Sequence, residues 1–92
     1  MNFEWDEVKA EVNLRKHGVS FDEAASVFED TMMFVMSDES HSEKESRRKV
    51  TGTSERMRLL AVIYVLRGDI IRIISARRPT MREVREYAEA RD

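Results

Sequence analysis

Leu59-Leu60-Ala61-Val62-Ile63-Tyr64-Val65-Leu66, followed by Arg67-Gly68-Asp69 and then by Ile70-Ile71-Arg72-Ile73-Ile74-Ser75-Ala76-Arg77-Arg78-Pro79-Thr80, decides the fold. Neither apolar run shows the apolar/polar alternation of a half-exposed strand, so both are expected to be covered on two faces. The three turn residues between them predict a tight antiparallel hairpin at the centre of a sheet. The second run carries basic side chains to its own end. Pro79 lacks the N–H that a ladder needs, and Thr80 with Glu83 spells a capping box. A helix should therefore open there, with Val84, Tyr87 and Ala88 on one side.

Upstream, Arg47, Lys49 and Thr51 alternate with Arg48, Val50 and Gly52, which predicts an exposed strand to Thr53 with Val50 as its one large apolar member. Residues 37–45 are polar and aperiodic and read as a loop, while residues 31–36 have the composition of a strand. Nearer the N-terminus, Phe3 and Trp5 form a short strand or lead-in, and Asp6 can cap a helix over about residues 6–17. Its apolar positions Val8 and Val12 are four apart, Glu11 and Arg15 pair on its wet side, and Gly18 stops it in a left-handed conformation. Ser20 and Glu23 form another capping box, with Val19 placed to pack on Ala24, for a helix over about 21–29 that buries Phe21, Ala24, Ala25 and Phe28. The expected fold is α+β over residues 1–92 as one domain: two N-terminal helices, an antiparallel sheet of about four strands and a C-terminal helix.

Composition narrows the function classes. The 92 residues include no cysteine, which removes disulfides and thiolate metal sites. No stretch is long and apolar enough to span a membrane, and the acidic opening Met1-Asn2-Phe3-Glu4-Trp5-Asp6 is unlike a signal peptide. The net charge of −2 hides a division. Residues 1–46 carry four basic and twelve acidic side chains, a net of −8, whereas residues 47–92 carry twelve basic and six acidic, a net of +6. Eleven of the latter twelve are arginine, whose planar fork suits phosphate; mutual neutralisation of the two halves in the fold is the competing explanation.

Of the two histidines, His17 belongs at a helix C-terminus as a capping cation, and His41 lies near Glu43, Glu45 and Arg47, either as an acid or base or simply solvated. His41-x-Glu43-x-Glu45 lacks the spacing of a known ion cage, so no metal site and no cofactor is expected. Isolated glycines exclude a phosphate loop, and there is no nucleophile elbow. What remains is arginine. Arg72, inside an apolar strand, must either pair with an acid from the first half or face a groove. One of Arg77 and Arg78 should stand at the N-terminus of the last helix, where an anion would be favoured. Convergence of Arg58 and Tyr87 on that point would make a surface for RNA cleavage by 2′-hydroxyl attack, with Tyr64, Tyr87 and Trp5 each either stacking an unpaired base or packed in the core.

The residues also resemble a known family. Phe3-Glu4-Trp5-Asp6-x-x-Lys9 with Asn13, Lys16-His17-Gly18-Val19-Ser20-Phe21-x-Glu23-Ala24, and His41-Ser42 ahead of Glu45 and Arg47 are similar to the BrnT toxins of bacterial type II toxin–antitoxin pairs. So are Gly52-x-Ser54, Arg58-Leu59-Leu60 and Arg72-Ile73-Ile74-Ser75-Ala76-Arg77 with Glu83 and Tyr87. The resemblance implies a RelE-like fold and a metal-independent endoribonuclease that inhibits translation in the bacterial cytoplasm. Its partner would be a BrnA-like ribbon-helix-helix antitoxin, the complex binding operator DNA, and a homodimer within a heterotetramer is compatible with that pairing. Carried onto this chain, the catalytic positions are Arg58, Arg77, Tyr87, His41 and Glu45, and the RNA-binding ones Lys16, Arg47, Arg72 and Arg78. Met57 stands where the family commonly has glycine, Ser46 where a glutamate is frequent and Pro79 where a small residue is usual. The alternative is a non-catalytic module whose basic half grips an acidic protein or nucleic acid.

Overall fold

The two apolar runs pair as their composition dictates, and the rest of the chain is arranged on that hairpin. The computed structural model describes residues 1–37 and 46–90. Its elements are β1 (Asn2–Glu4), α1 (Glu7–His17), α2 (Phe21–Ser26), β2 (Phe34–Ser37), β3 (Arg47–Thr53), β4 (Leu59–Arg67), β5 (Ile70–Arg77) and α3 (Met81–Glu89). A 3₁₀ turn, Val27–Glu29, extends α2. No helix among the described residues is long and apolar enough to cross a membrane.

The sheet corrects the expectation of four antiparallel strands: among the described residues it has five, in the order β1-β5-β4-β3-β2, and is mixed. β1 lies parallel to β5, Asn2 opposite Ile70 and Glu4 opposite Arg72. A three-residue strand has too few positions to show a period, and its partner lies far along the chain, so local sequence could not reveal the pairing. β2 also begins later than expected. Asp30 makes a turn, its backbone carbonyl accepting from the Met33 N–H at 3.1 Å and its carboxylate from the Met32 N–H at 2.9 Å, which takes Thr31 and Met32 out of the strand.

Helix ends follow the chemistry of their caps. Asp6 accepts from the N–H groups of Val8 and Lys9, and Gly18 closes α1 at φ 70°, in the left-handed region that favours glycine. Ser20 caps α2 by accepting from the Glu23 N–H at 3.0 Å. Thr80 and Glu83 form the complete reciprocal box at the start of α3.

Alternation along the strands gives the sheet two unlike faces. Val50, Leu60, Val62, Tyr64, Ile71, Ile73 and Ala76 pack with Val19, Phe21, Ala24, Val27 and Phe28 in one apolar cluster under α1, α2 and the 3₁₀ turn. Gly52 is required on this face because a Cβ there would stand 2.8 Å from Val27 Cγ1. The opposite face presents cross-strand rows: Arg47, Val65, Arg72 and Glu4; then Lys49, Ile63 and Ser75; then Thr51, Ala61 and Arg77. α3 covers part of it through contacts to β3. Its buried side chains are Glu83 and Tyr87, while Ala88, expected on the packed side, is exposed.

A register shift falls between Ile63 and Tyr64, whose partners on β5 are Ser75 and Ile73, so Ile74 is bulged out of the ladder. Beyond β1, the edge of β5 is closed by a side chain. The Asn13 amide donates to the carbonyls of Ala76 and Val19, both at 2.9 Å, and accepts from the Ala76 N–H at 3.2 Å. One amide thus replaces a strand neighbour and ties α1 to the sheet. This is why the inward side of α1 is Ala10 and Asn13, and why Val8 and Val12, expected to be its apolar face, remain exposed.

Candidate functional site

Three carboxylates from the helical segments organise the cationic and phenolic side chains of the basic half. Glu83, in the first turn of α3, is nearly inaccessible to solvent. Arg77 grips it bidentately, Nη1 to Oε1 at 2.7 Å and Nη2 to Oε2 at 2.9 Å, and Lys49 Nζ approaches Oε2 at 2.8 Å. The Thr80 N–H donates to the same carboxylate at 2.9 Å. Burial alone would raise the Glu83 pKa, but the bonds from Arg77, Lys49 and Thr80 outweigh it and pull the carboxyl down to about 2. The anion expected at this helix N-terminus is therefore the chain's own Glu83.

Glu23, equally buried, holds Arg58 in the same forked manner. Arg58 Nε donates to Oε2 at 2.7 Å and Nη2 to Oε1 at 2.6 Å, while Nη2 also donates to the Gly18 carbonyl at 2.8 Å. Ser54 Oγ adds a bond to Oε2 at 2.7 Å. The Arg58 bonds lower the Glu23 pKa against an opposing effect of burial. Glu23 thus takes up an arginine instead of completing the capping box its spacing suggested.

The third carboxylate is Asp30. Its Oδ2 accepts from the Tyr87 hydroxyl at 2.6 Å and from the Thr53 N–H at 2.8 Å, with Thr53 Oγ1 3.3 Å from the same hydroxyl. Tyr87 lies one helical turn beyond Glu83, so the Arg77 and Tyr87 groups are neighbours along one side of α3. Arg58 is on the other side: Thr53 touches Tyr87, whereas the adjacent Ser54 binds Glu23 and, through it, Arg58. The structure brings Arg77, Lys49 and Tyr87 together and sets Arg58 across the sheet from them.

The remaining sequence candidates are distributed as follows. Arg47 is half-buried on the α3 face, in the same row as Arg72. Arg72 is paired, its Nη1 2.9 Å from Glu4 Oε2. Arg78 is exposed, and its carbonyl accepts from Arg77 Nη1 at 3.3 Å. Lys16 lies on α1, lining a groove with Ile74 and Ser75. His41 and Glu45 lie outside the described residues.

Sequence reasoning treated Glu23 and Glu83 only as capping residues and passed over Lys49 and Asp30. The available signal was the combination of a helix-opening glutamate with an arginine at a strand end, since a buried carboxylate needs a cation. Lys49 carried no such signal, because only the pairing of β3 with β4 places it on the face covered by α3. In the turn before Arg58, Met57 adopts φ 62°, in the left-handed region that favours glycine, and is 83% exposed.

A family model described as ribonuclease toxin, BrnT, of type II toxin-antitoxin system matches residues 5–83. Among solved structures, the 1.1 Å crystal structure of the Brucella abortus ribonuclease toxin, BrnT, is similar in fold, with a TM-score of 0.66 and 24% identity. The alignment covers 88% of this chain and 99% of that one. No curated protein matches the sequence at a significant level.

Proposed function

The chain belongs to the BrnT family of ribonuclease toxins of type II toxin–antitoxin systems, and from that premise we propose that it cuts RNA without a metal ion on the sheet face that α3 partly covers. The observation that carries this is the juxtaposition of two cations and a phenol there: Arg77 and Lys49 locked on Glu83, one turn from the Tyr87 hydroxyl on Asp30. In the proposed reaction a ribose 2′-oxygen bonds to the neighbouring phosphorus and the bond from phosphorus to the 5′-oxygen breaks. A base takes the 2′-hydroxyl proton and an acid returns one to the departing 5′-oxygen. The pentacoordinate phosphorane gains negative charge, and preoriented cations lower its energy without reorganising.

Arg77 is the first choice for that role, with Lys49 beside it on the same carboxylate; Arg58, on the opposite side of the Thr53-Ser54 pair and held by Glu23 and the Gly18 carbonyl, does not reach the same phosphate. Glu83 and Glu23 act as positioning residues that hold each fork in one orientation. Proton transfer falls to Tyr87 and to His41 with Glu45, and Arg47 and Arg78 hold the strand. In the cell, translation would stop for want of intact RNA, in the cytoplasm, until a BrnA-like antitoxin neutralises the toxin.

The test is expression of the unaltered chain alone, beside Arg77→Ala and Tyr87→Phe, reading growth and bulk RNA, followed by cleavage with purified protein in excess chelator. Growth arrest with degraded RNA, lost in both variants and insensitive to chelator, is expected. Intact RNA and normal growth at a confirmed level of unaltered protein would overturn the proposal. Because carboxylates engage Arg58, Arg77 and Tyr87, a second reading is a module that grips RNA and leaves it whole. It predicts salt-dependent RNA binding with no cleavage products.

A further inference from the structure

α1 carries an apolar stripe that its own fold does not use. Val8 and Val12 lie four residues apart on one side of the helix and are 68% and 46% exposed. Asn13, bound to Ala76, sets the rotation of α1 that leaves them outside the core. Between this stripe and the bulge at Ile74 lies an open groove of about 270 Å³. Its lining combines the apolar side chains Val8, Val12 and Ile74 with the cationic Lys9 and Lys16 and with His17.

The charge on α1 is sorted between two sides. Glu7 and Glu11, the acids of the helix, line a separate groove with Trp5 and Leu14, so the groove at Ile74 has lysines and no carboxylate in its lining. From Val8 to Lys16 the helix rises about 12 Å, which matches two to three turns of a docked helix. Apolar and cationic side chains lining one groove are complementary to a short segment with one apolar side and acidic flanks. Nucleic acid fits it less well, because a phosphate backbone has nothing to set against exposed valine side chains.

We infer that the groove between α1 and the bulge of β5 receives an acidic segment of the antitoxin, whose apolar side covers Val8, Val12 and Ile74 and whose carboxylates meet Lys9 and Lys16. The inference rests on the family reading for the existence of that partner, and on the groove for where it binds. The antitoxin would then hold the toxin at a surface formed by other residues than Arg77, Lys49 and Tyr87.

The test uses the antitoxin encoded beside this chain as the probe, titrated calorimetrically into the purified unaltered protein, a Val8→Asp/Val12→Asp double variant and Lys9→Glu. All three sites are exposed, and circular dichroism checks that the helical content is unchanged. The double variant is expected to bind the antitoxin at least tenfold more weakly while still arresting growth when expressed alone. Lys9→Glu should lose three- to tenfold, with the loss shrinking as salt rises. Antitoxin affinity within twofold of the unaltered chain in the double variant would overturn the inference, and so would unaltered antitoxin affinity combined with lost RNA cleavage, which would make the groove an RNA surface. An unaltered chain that neither arrests growth nor binds the antitoxin would remove the family-based reading as well, so the two failures are distinguishable.

Discussion

The two faces of the sheet solve the problem of burial with different chemistry. Toward α1 and α2 the sheet is closed by Leu60, Val62, Ile73 and their neighbours packed on Phe21 and Val27, where apolar area removed from water supplies the stability. Toward α3 the anchors are polar: Glu83 on Arg77 and Lys49, and Tyr87 on Asp30. Charges withdrawn from water regain little net stability over an apolar packing of the same shape, although removing one partner leaves the other uncompensated. A face built this way is therefore sensitive to the loss of any one of its partners.

The sharpest way to break the comparison is to open the apolar face. Phe21→Ala should cost about 4 kcal/mol, from lost transfer free energy and an incompletely filled cavity, and the urea midpoint should fall with the slope unchanged. Next in size is Glu83→Gln. The folded pKa of about 2 lies below the ordinary 4.5, so the stabilisation is fully present above pH 4.5 and is lost as pH falls through 2. The gap corresponds to about 3 kcal/mol. Unaltered protein should therefore lose stability between about pH 5 and pH 2, whereas Glu83→Gln should start lower and show a flatter acid limb. An identical acid limb in the two proteins would show that the α3 face is not held by this carboxylate.

Asn13→Ala probes the joint between α1 and the sheet. It leaves the Ala76 N–H and two carbonyls without their partner, for a loss of about 2 kcal/mol, and hydrogen exchange at Ala76 should accelerate before that of the β4 amides. The smallest expected effect has the opposite sign. Met57→Gly relieves a left-handed backbone but adds freedom to the unfolded chain, for a net gain of about 0.5 to 1 kcal/mol. A lower melting temperature for that variant would mean that the exposed Met57 side chain has a role its solvent position does not reveal.

Much of this was legible before folding. The hairpin, the caps Asp6, Ser20 and Thr80, and the pairing of Arg72 with an acid from the first half all follow from local chemistry, and the structure has them. The strand from Arg47 to Thr53 is there too, but it lies between β2 and β4 with Val50, Thr51 and Gly52 buried rather than exposed, because its neighbours come from elsewhere in the chain. Of the site, Arg77 and Tyr87 were legible one by one, Lys49 and Asp30 were not, and neither was the grouping. Arg77, Lys49 and Glu83 come from two strands and a helix, and which of them meet depends on cross-strand register, here altered by the bulge at Ile74. Val8 and Val12 show the same limit from the other side. Their spacing predicts a buried face, but a polar residue, Asn13, wins the inward position because its amide satisfies the edge of β5.

The sequence by itself determined the class of fold, the segregation of acid in the first half and arginine in the second, and the family, since these rest on periodicity, capping chemistry and motifs that local stretches of chain carry. Only the tertiary structure decided that Glu23 and Glu83 each hold one arginine, that Tyr87 stands with Arg77 rather than Arg58, and that one side of α1 is left uncovered. Those are facts of long-range register and helix rotation, set where distant segments compete for the same buried hydrogen bonds, and no local stretch of the chain contains both competitors.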